Sequence, residues 1–317
     1  MLMRFLMQYA KLKRCWLNKG TIMMKLGMVG LDTSHCLAFT NLLNDPENQF
    51  HISGAKVVKA FPGGSEVFSF SRDRVGKFTS DLRCMNIEMT GRIEDLSGMD
   101  GYFLESVDGN QHLEQFKVLA KFGKPVFIDK PLACSYADAM EIAKIAKKEN
   151  IPVMTASAIR YAKGIDGLLE ADEKVESCEA FGPMSILEDY RDYFWYGIHS
   201  AEVLFSFMGT GCRQVQTFSS NKIDMIVGVW EDGRIGTLRG NRTGADNFGC
   251  LITTDKTTKA GFVSGEIPYY AMMLKKVIPF LQTGISPIDL SESLEIIAFL
   301  DGASKSRASG GKSINIK

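Results

Sequence analysis

The sequence lacks the features that mark disulfide-stabilised, zinc-binding and membrane-spanning proteins. Its seven cysteines are odd in number and scattered, and no two of them form a C-x-x-C pair. We therefore expect no disulfide framework and no metal site, and the cysteine pattern indicates a reducing, cytoplasmic compartment. The apolar runs are too short to cross a bilayer, so no membrane partner is expected.

Net charge is also absent. The 317 residues include 37 basic and 37 acidic side chains, which excludes the strong basic excess that is typical of a nucleic-acid-binding protein. Residues 1–24 differ, because they contain five bases and no acid. They lack the apolar core and the cleavage site of a secretory signal. We expect a non-native or disordered leader ahead of a natural start at Met23 or Met24, and a docking arm is the alternative.

The chain is long enough for two domains, and its first part alternates short apolar runs with helical stretches. The predicted strands are Lys25–Gly30, Ala55–Phe61, Tyr102–Glu105, Val126–Ile128 and Ile151–Met154. The predicted helices are Ser34–Leu43, with Ser34 as its N-cap, His112–Phe122 and Tyr136–Lys148. This alternation predicts a doubly wound parallel sheet of the Rossmann type over residues 25–154.

The pattern changes to successive strands over residues 155–317. The predicted strands are Met184–Tyr190, Gln214–Ser219, Asp224–Trp230, Arg234–Arg239 and Phe248–Thr254. Helices are predicted over His199–Met208, over Tyr269–Leu281 and from a cap at Asp289 to about Arg307. The second domain is therefore expected to be α+β, with an open and mostly antiparallel sheet.

The most informative stretch lies at residues 123–133. The apolar run Val126–Ile128 stops at Asp129, Lys130 and Pro131, which indicates a short buried strand with two charges at its carboxyl end. Ligands of open parallel sheets bind just outside such ends. Lys130 is therefore predicted to hold an anionic or hydroxylated substrate, or to act as an acid or base. The alternative is a surface turn with an Asp–Lys pair.

The turn after the first strand stands where a dinucleotide loop belongs. Gly30 fills the first position of G-x-G-x-x-G, but Asp32 stands at the second and His35 at the third. A carboxylate about 4 Å from a pyrophosphate costs on the order of a few kcal/mol near a protein surface. That penalty applies unless Asp32 turns away and caps the helix.

A second cofactor signal is missing at the end of the second strand. The acid that usually binds the ribose hydroxyls is replaced by the run Phe61-Pro62-Gly63. Ser65 or Lys59 would suit a 2′-phosphate instead. The alternative is a Rossmann-like domain that binds dinucleotide weakly or in a different way.

Four segments together make the chain, from about residue 25 onward, resemble the Gfo/Idh/MocA family of glucose–fructose oxidoreductase and inositol dehydrogenase. They are the Asp-Lys-Pro strand end at 123–133, the loop Glu105–His112, the step Ser157–Tyr161 and the segment Trp195–Glu202. The first resembles the family's Glu-Lys-Pro strand end, with Asp129 in place of the glutamate. The last resembles its D-x-x-x-H-x-x-D segment.

The resemblance implies an N-terminal Rossmann domain, a C-terminal domain with an open antiparallel sheet, and homodimers or homotetramers built through that sheet. It implies NAD or NADP as cofactor and a sugar, a cyclitol or a derivative as the small-molecule substrate. Lys130 and His199 correspond to the residues that face the reacting carbon. The implied cofactor-binding residues are Gly30, Leu31, Asp32, Thr33, Ser34, His35, Glu105, His112 and Asp129. The peptide bond from Lys130 to Pro131 is a candidate for the cis form.

The chain departs from the family near the histidine. Trp195 replaces the aspartate four residues before His199 and offers a flat face on which a sugar ring can stack. Glu202 replaces the later aspartate and either pairs with His199 or acts as a structural partner. Arg160 either binds substrate oxygens or forms a salt bridge between the domains. The expected substrate-binding residues are Arg160, Tyr161, Tyr193, Trp195, Tyr196 and Glu202, with Tyr190 as a further contact.

Two functions follow from these expectations. The first is an NAD(P)-dependent oxidoreductase that acts on a hydroxyl of a sugar-like substrate, with Lys130 and His199 handling the proton. The second keeps the fold and the pocket but not the redox step, as a carbohydrate-binding protein or a sugar lyase with a degraded dinucleotide site. Asp32 and Trp195 motivate the second.

Overall fold

The computed structural model describes residues 23–316. A leader was expected over residues 1–24, and residues 1–22 of it lie outside the described residues. The strands are β1 Met24–Val29, β2 Ala55–Phe61, β3 Glu88–Met89, β4 Gly101–Leu104, β5 Val126–Asp129, β6 Val153–Ala156, β7 Val175–Pro183, β8 Cys212–Ser219, β9 Ile223–Trp230, β10 Ile235–Asn241, β11 Gly249–Thr254, β12 Thr258–Phe262 and β13 Ile314–Asn315. The α-helices are α1 Ser34–Asn44, α2 Ser69–Arg72, α3 Val75–Cys84, α4 His112–Leu119, α5 Tyr136–Glu149, α6 Gly197–Met208, α7 Tyr269–Thr283 and α8 Leu290–Ala308.

The first sheet is parallel throughout, with the strand order β3-β2-β1-β4-β5-β6. Every residue of β4, β5 and β6 is buried, because helices cover both faces of a doubly wound sheet. The direction in which successive strands are added to the sheet reverses between β1 and β4, and the carboxyl ends of β1, β4 and β5 lie side by side along one edge of the sheet. The predicted Rossmann architecture is confirmed, although the last strand begins at Val153 rather than at residue 151.

The second sheet has the order β12-β11-β7-β10-β9-β8-β13 and is antiparallel apart from the β7–β10 pair. This confirms the predicted mostly antiparallel sheet. A tight turn at Gly233, with φ of +88°, joins β9 to β10, and the sequence Glu231-Asp232-Gly233 between the two strands is typical of such a hairpin turn. Helices α6 and α8 pack on one face of the sheet.

The prediction of a strand at Met184–Tyr190 is wrong. Residues 175–183 form β7 instead, and the following segment leaves the sheet as a loop toward the Rossmann domain. The reason is tertiary, because the Tyr190 hydroxyl accepts a hydrogen bond from the Gly109 N–H at 3.1 Å. Strand β12 was not predicted, since its small and charged residues lack an apolar alternation.

The two halves of the chain share their cores. Helix α7 belongs to the second half, yet Leu274 and Val277 pack in one cluster with Phe39, Phe103 and Phe127 of the first half. The cavity described below is therefore enclosed by elements of both halves. In the described part of the chain, no helix is long and apolar enough to cross a membrane.

Candidate active site

A cavity of about 370 Å³ lies beyond the carboxyl ends of the parallel strands, between the two halves of the chain. Seven of the residues that were singled out from the sequence line it, namely Thr33, Ser34, His35, Lys130, Trp195, Tyr196 and His199. The structure thus brings the Rossmann strand ends and the start of α6 to one place.

Lys130 lies directly after β5 and is 8% exposed. The peptide bond from Lys130 to Pro131 is cis, as expected. The Nζ atom lies 5.4 Å from the ring centroid of Trp195, which is within the range of a cation–π contact. The tryptophan that replaces the family's aspartate therefore faces the lysine with a neutral ring rather than a carboxylate.

His199 is the third residue of α6, and its ring faces the same cavity. Its Nδ1 lies 2.7 Å from the hydroxyl oxygen of Ser157. Burial lowers the pKa of His199 well below its ordinary value, and the charges of Lys130 and His35 lower it further. The imidazole is therefore neutral at neutral pH and can accept a proton.

Asp32 turns away from the cavity. It is fully buried, and its two carboxylate oxygens accept hydrogen bonds from the Val107 N–H at 2.9 Å and from the Ser71 hydroxyl at 2.6 Å. Burial raises its pKa against the lowering effect of these bonds. Asp32 does not cap α1; Thr33 does so by accepting the His35 N–H, which corrects the expectation for Ser34.

The glycine loop is held by its own chain. The N–H groups of Gly30 and Leu31 donate to the carbonyl oxygens of Phe61 and Pro62 at 3.0 and 2.7 Å. A Cβ atom on Gly30, whose φ is +89°, would lie 2.3 Å from the Ser106 nitrogen. Only glycine fits there, as in dinucleotide loops, but the first donors of the loop are already used.

The segment after β2 crosses toward the second half of the chain. Phe68 is fully buried, with its ring centroid 4.6 Å from Tyr190 and 5.3 Å from Trp195, and the Ser69 N–H donates to Asp189 at 2.9 Å. In dinucleotide-binding domains the region between this segment and the glycine loop holds the nucleotide. The N–H groups of Gly30 and Leu31 and the segment around Phe68 are thus engaged within the protein on both sides of this region.

The two residues that were considered for a 2′-phosphate are also engaged. The Ser65 hydroxyl donates to Asp108 at 2.7 Å, and Ser65 is 3% exposed. Lys59 forms an ion pair of 3.0 Å with Glu88 of the neighbouring strand. Neither side chain is directed at a phosphate position.

His35, which lines the cavity, meets Glu105 and Asp129 at the strand ends. The Nδ1 atom of His35 lies 2.9 Å from Asp129 Oδ2 and 3.9 Å from Glu105 Oε2. Burial raises the pKa of Glu105 well above its ordinary value, and the charge of Asp129 adds to this. Burial by itself would also raise the pKa of Asp129, but the charges of His35 and Lys130 hold that pKa below its ordinary value.

Arg160 and Glu202 form a salt bridge rather than a substrate site. Arg160 donates to Glu202 at 2.9 Å and also pairs with Glu292 of α8. Both Arg160 and Glu202 are buried. The structure therefore shows a salt bridge, but all three residues lie within residues 155–317, so it does not join the two domains as the alternative predicted, and Glu202 pairs with Arg160 instead of His199. Burial raises the pKa of Glu202 to about 7, against the lowering effect of Arg160.

Four further expected contacts lie away from the cavity. The Tyr193 hydroxyl donates to Asp224 at 2.9 Å, and Tyr190 packs against Phe68. Tyr161 is buried without a hydrogen-bond partner for its hydroxyl among residues 23–316. His112 lies between the Ser106 and Pro131 carbonyls at 2.8 and 2.9 Å. It links two loops, and none of the four residues lines the cavity.

Sequence reasoning missed much of the cavity wall. The further lining residues are Phe70, Arg74, Val107, Ala158, Ile159, Ser185, Leu187, Phe248, Tyr269 and Tyr270. The two tyrosines had a signal, because they follow Pro268 at the start of a predicted helix and α7 opens toward the cavity. Val107, Ala158 and Ile159 lie within the segments Glu105–His112 and Ser157–Tyr161 that were singled out, and the remaining residues are placed by tertiary packing that no local pattern reveals.

The sequence matches one family model. A model described as an oxidoreductase family with an NAD-binding Rossmann fold, Gfo/Idh/MocA, matches residues 78–157. These residues run from α3 through β4 and β5 to the end of β6, and they include Glu105, Asp129 and Lys130. No curated protein matches the sequence.

Solved structures share the fold over almost the whole chain. Myo-inositol dehydrogenase from Lactobacillus casei, crystallised with NAD(H) and myo-inositol, is 14% identical with a TM-score of 0.74, over 93% of this chain and 97% of that one. A probable dehydrogenase from Thermotoga maritima is 15% identical with a TM-score of 0.70, over 92% and 99%. An oxidoreductase from Agrobacterium radiobacter, crystallised with NAD+, L-tartaric acid and magnesium, is 14% identical with a TM-score of 0.69, over 92% and 98%.

At these identities the likeness to solved structures establishes the fold, while the family model supports the sequence motifs of the first half. The two findings agree with each other and with the strand-end lysine and cis proline. The resemblance of this chain to the Gfo/Idh/MocA oxidoreductases, a family with an NAD-binding Rossmann fold, is therefore confirmed.

Proposed function

We propose that the protein is an enzyme that acts on a hydroxyl-bearing carbon of a sugar, a cyclitol or a derivative. One observation carries the proposal, namely that Lys130 and His199 line a single cavity of about 370 Å³. The rings of Trp195, Tyr196 and Phe248 also line it. Aromatic faces beside polar groups suit a polyhydroxylated ring.

The two residues have distinct roles in this proposal. The neutral imidazole of His199 accepts the proton of a substrate hydroxyl, and the Ser157 hydroxyl beside Nδ1 fixes the ring. The ammonium of Lys130 binds the same substrate oxygen and stabilises the negative charge that develops on it. Trp195 directs the lysine, since the cation–π contact holds Nζ over its ring.

In its oxidoreductase form, the proposal requires NAD or NADP as hydride acceptor. The description of the family and the NAD-containing neighbours support this form. The occupied loop at Gly30 and Leu31 and the buried Asp32 favour a second form, in which the same acid–base pair serves a non-redox sugar enzyme or a carbohydrate-binding protein. We derive no step through a dinucleotide.

Calorimetric titration separates the two forms. The purified protein is titrated with NAD+, NADH, NADP+ and NADPH, and then with myo-inositol, scyllo-inositol and glucose. Saturable dinucleotide binding with hydride transfer supports the redox form. Binding of a polyol without any dinucleotide supports the second form.

Variants test the site itself. We expect Lys130→Met and His199→Gln to lower turnover by about 10²–10⁴-fold, or to abolish polyol binding, with an unchanged circular dichroism spectrum. Asp45→Asn, an exposed change at the end of α1, serves as the control. Wild-type activity in both site variants would refute the assignment.

We also propose a homodimer or homotetramer formed through the open face of the second sheet, in a cytoplasmic location consistent with the scattered cysteines. Phe262, Phe218 and Ile235 are 59%, 56% and 50% exposed on this face, and monomers rarely leave such a patch uncovered. Light scattering after chromatography checks it, and Phe218→Lys with Phe262→Lys should yield monomers. A monomeric wild-type protein would contradict the proposal.

A further inference from the structure

We propose that His35, Glu105 and Asp129 form a binding site for a divalent transition-metal ion at the floor of the cavity. Each residue offers one ligand atom, and these atoms all lie within 4.8 Å of one another. One imidazole nitrogen and two carboxylate oxygens are a donor set that zinc, manganese and iron use in proteins. The site does not depend on a dinucleotide or on the identity of the substrate.

Glu105 supplies the observation that points to a missing ligand. Its side chain is fully buried, and neither carboxylate oxygen has a hydrogen-bond partner within the described residues 23–316. Buried carboxyl groups are almost always hydrogen-bonded or coordinated. The Nδ1 atom of His35 also lacks a well-aligned hydrogen bond in this part of the chain, although Asp129 lies 2.9 Å away. A cation between the three side chains would satisfy all of these atoms.

The three ligands come from rigid elements at one edge of the first sheet. Asp129 is the last residue of β5, Glu105 directly follows β4, and His35 is in the first turn of α1. Strands β1, β4 and β5 are neighbours, so their carboxyl ends converge. His35 is held on its other sides by Phe39, in a stacked contact of 5.8 Å, and by Tyr270 at 4.7 Å. The donor atoms are therefore fixed before an ion binds.

The distances suit a small ion. Ligand atoms at about 2.0–2.2 Å from a zinc ion lie roughly 3–4 Å from one another. The separations of His35 Nδ1 from Asp129 Oδ2 and Glu105 Oε2 are 2.9 and 3.9 Å. Modest side-chain rotation is enough to reach coordination distance.

An ion in this site would meet both the cavity and the charge of Lys130. Of the three ligands only His35 lines the cavity, so an ion would reach the two buried carboxyl groups from the His35 side. Lys130 follows Asp129 directly, and its ammonium opposes a cation. The carboxylate of Asp129 and, once the metal displaces its proton, that of Glu105 would oppose this single charge, and the lysine contacts Trp195 instead of either acid.

The spacing of the ligands explains why cysteine-based reasoning predicted no metal. The ligands are 70 and 24 residues apart in the sequence and none is a cysteine. Only the parallel sheet brings them together.

Metal titration of the tag-free, chelator-treated full chain tests the proposal. ZnCl₂ and MnCl₂ are titrated by calorimetry, and CoCl₂ is added for its visible absorption, which reports the coordination. We expect one equivalent per chain. Glu105→Gln should weaken binding by at least the tenfold or so that follows loss of an outer-sphere partner and should change the cobalt spectrum.

Controls keep the result interpretable. Glu114→Gln makes the same chemical change on the exposed face of α4 and should bind like the wild type. Asp129→Asn provides a second ligand variant if Glu105→Gln does not fold by circular dichroism. Lys130→Met removes the opposing charge and should tighten binding. Absence of saturable binding at micromolar metal, equal affinity in a folded ligand variant and the Glu114 control, or no tightening in Lys130→Met would each overturn the proposal.

Discussion

The two hydrogen bonds of Asp32 lead to a prediction about stability. The buried carboxylate joins the glycine loop to the turn after β4 through Val107 and to helix α2 through Ser71. Asp32→Ala removes both acceptors and leaves a buried N–H and a buried hydroxyl without their partner. The residue that replaces the family's second loop glycine is therefore expected to be a structural anchor.

The magnitude follows from the two orphaned donors. Each buried donor that loses its partner costs about 1–3 kcal/mol. Removal of the acid also relieves the desolvation that raises the pKa of Asp32, which offsets part of the loss. We expect Asp32→Ala to lower the free energy of unfolding by about 2–4 kcal/mol. Asp32→Asn keeps the shape and one acceptor and should cost less.

Urea unfolding followed by circular dichroism measures the effect. The matched control is Asp45→Ala, because Asp45 is an exposed acid at the end of α1 whose side chain, within residues 23–316, accepts a hydrogen bond only from the Glu47 N–H. This control should change stability by no more than about 0.5 kcal/mol. An Asp32→Ala variant as stable as the control would refute the anchoring role.

The same position tests whether the loop excludes a dinucleotide. Asp32→Gly restores the second glycine of the fingerprint, yet the Leu31 N–H still donates to Pro62 and the segment around Phe68 still packs against Trp195. We expect no saturable NAD(P)H binding in a fluorescence titration of this variant. Micromolar binding would show that Asp32 alone blocks the cofactor and would refute our account of the loop.

Three further changes have definite expected outcomes. Burial raises the pKa of Glu202 from 4.5 to about 7, so the folded chain keeps a proton that the unfolded chain releases, and the free energy of unfolding should fall as pH rises from 4.5 to about 7 and then level. In urea unfolding across this range, Glu202→Gln should remove up to about 3 kcal/mol of that fall, and an identical fall in both proteins would contradict the assignment. Phe68→Ala should cost about 3–5 kcal/mol, whereas Val67→Ala, at a side chain 79% exposed, should cost little; equal thermal shifts would argue against the packed segment. Both Gly30 and Gly98 have a positive φ, but a Cβ atom at Gly30 would clash with the Ser106 backbone, whereas at Gly98, with a φ of +87°, it would meet open space. Gly30→Ala should therefore destabilise the protein by about 2 kcal/mol or more beyond Gly98→Ala; comparable unfolding midpoints would be inconsistent with the clash.

The fold could be predicted from the sequence because its signals are local. Parallel strands buried on both faces appear as short apolar runs, and β4 and β5 were predicted within a residue of their observed ends. The strand-end position of Lys130 followed from the same pattern. Convergence of Lys130 with His199 came from the family resemblance, and the structure places both side chains at one cavity.

The errors have a common physical cause, which is long-range packing. The segment Met184–Tyr190 was predicted as a strand, but Tyr190 is held by the Gly109 N–H on the other half of the chain. Arg160 has the chemistry of a substrate ligand, but two acids from α6 and α8 surround it. A single sequence cannot reveal which partner such a residue will meet.

The charges at the cofactor edge connect the altered loop with the proposed metal site. Dinucleotide enzymes use this edge to bind an anion, with glycines and helix N–H groups facing a pyrophosphate. Here Asp32, Glu105 and Asp129 place three carboxyl groups at the ends of β1, β4 and β5, and His35 stands where the third glycine belongs. Of these groups, Asp129 has a pKa held below its ordinary value by His35 and Lys130, so its negative charge opposes a pyrophosphate at this edge. On the proposal above, this Rossmann-type sheet keeps a lysine and a histidine at the positions that the family resemblance implies, while its strand ends bind a metal ion instead of an anion.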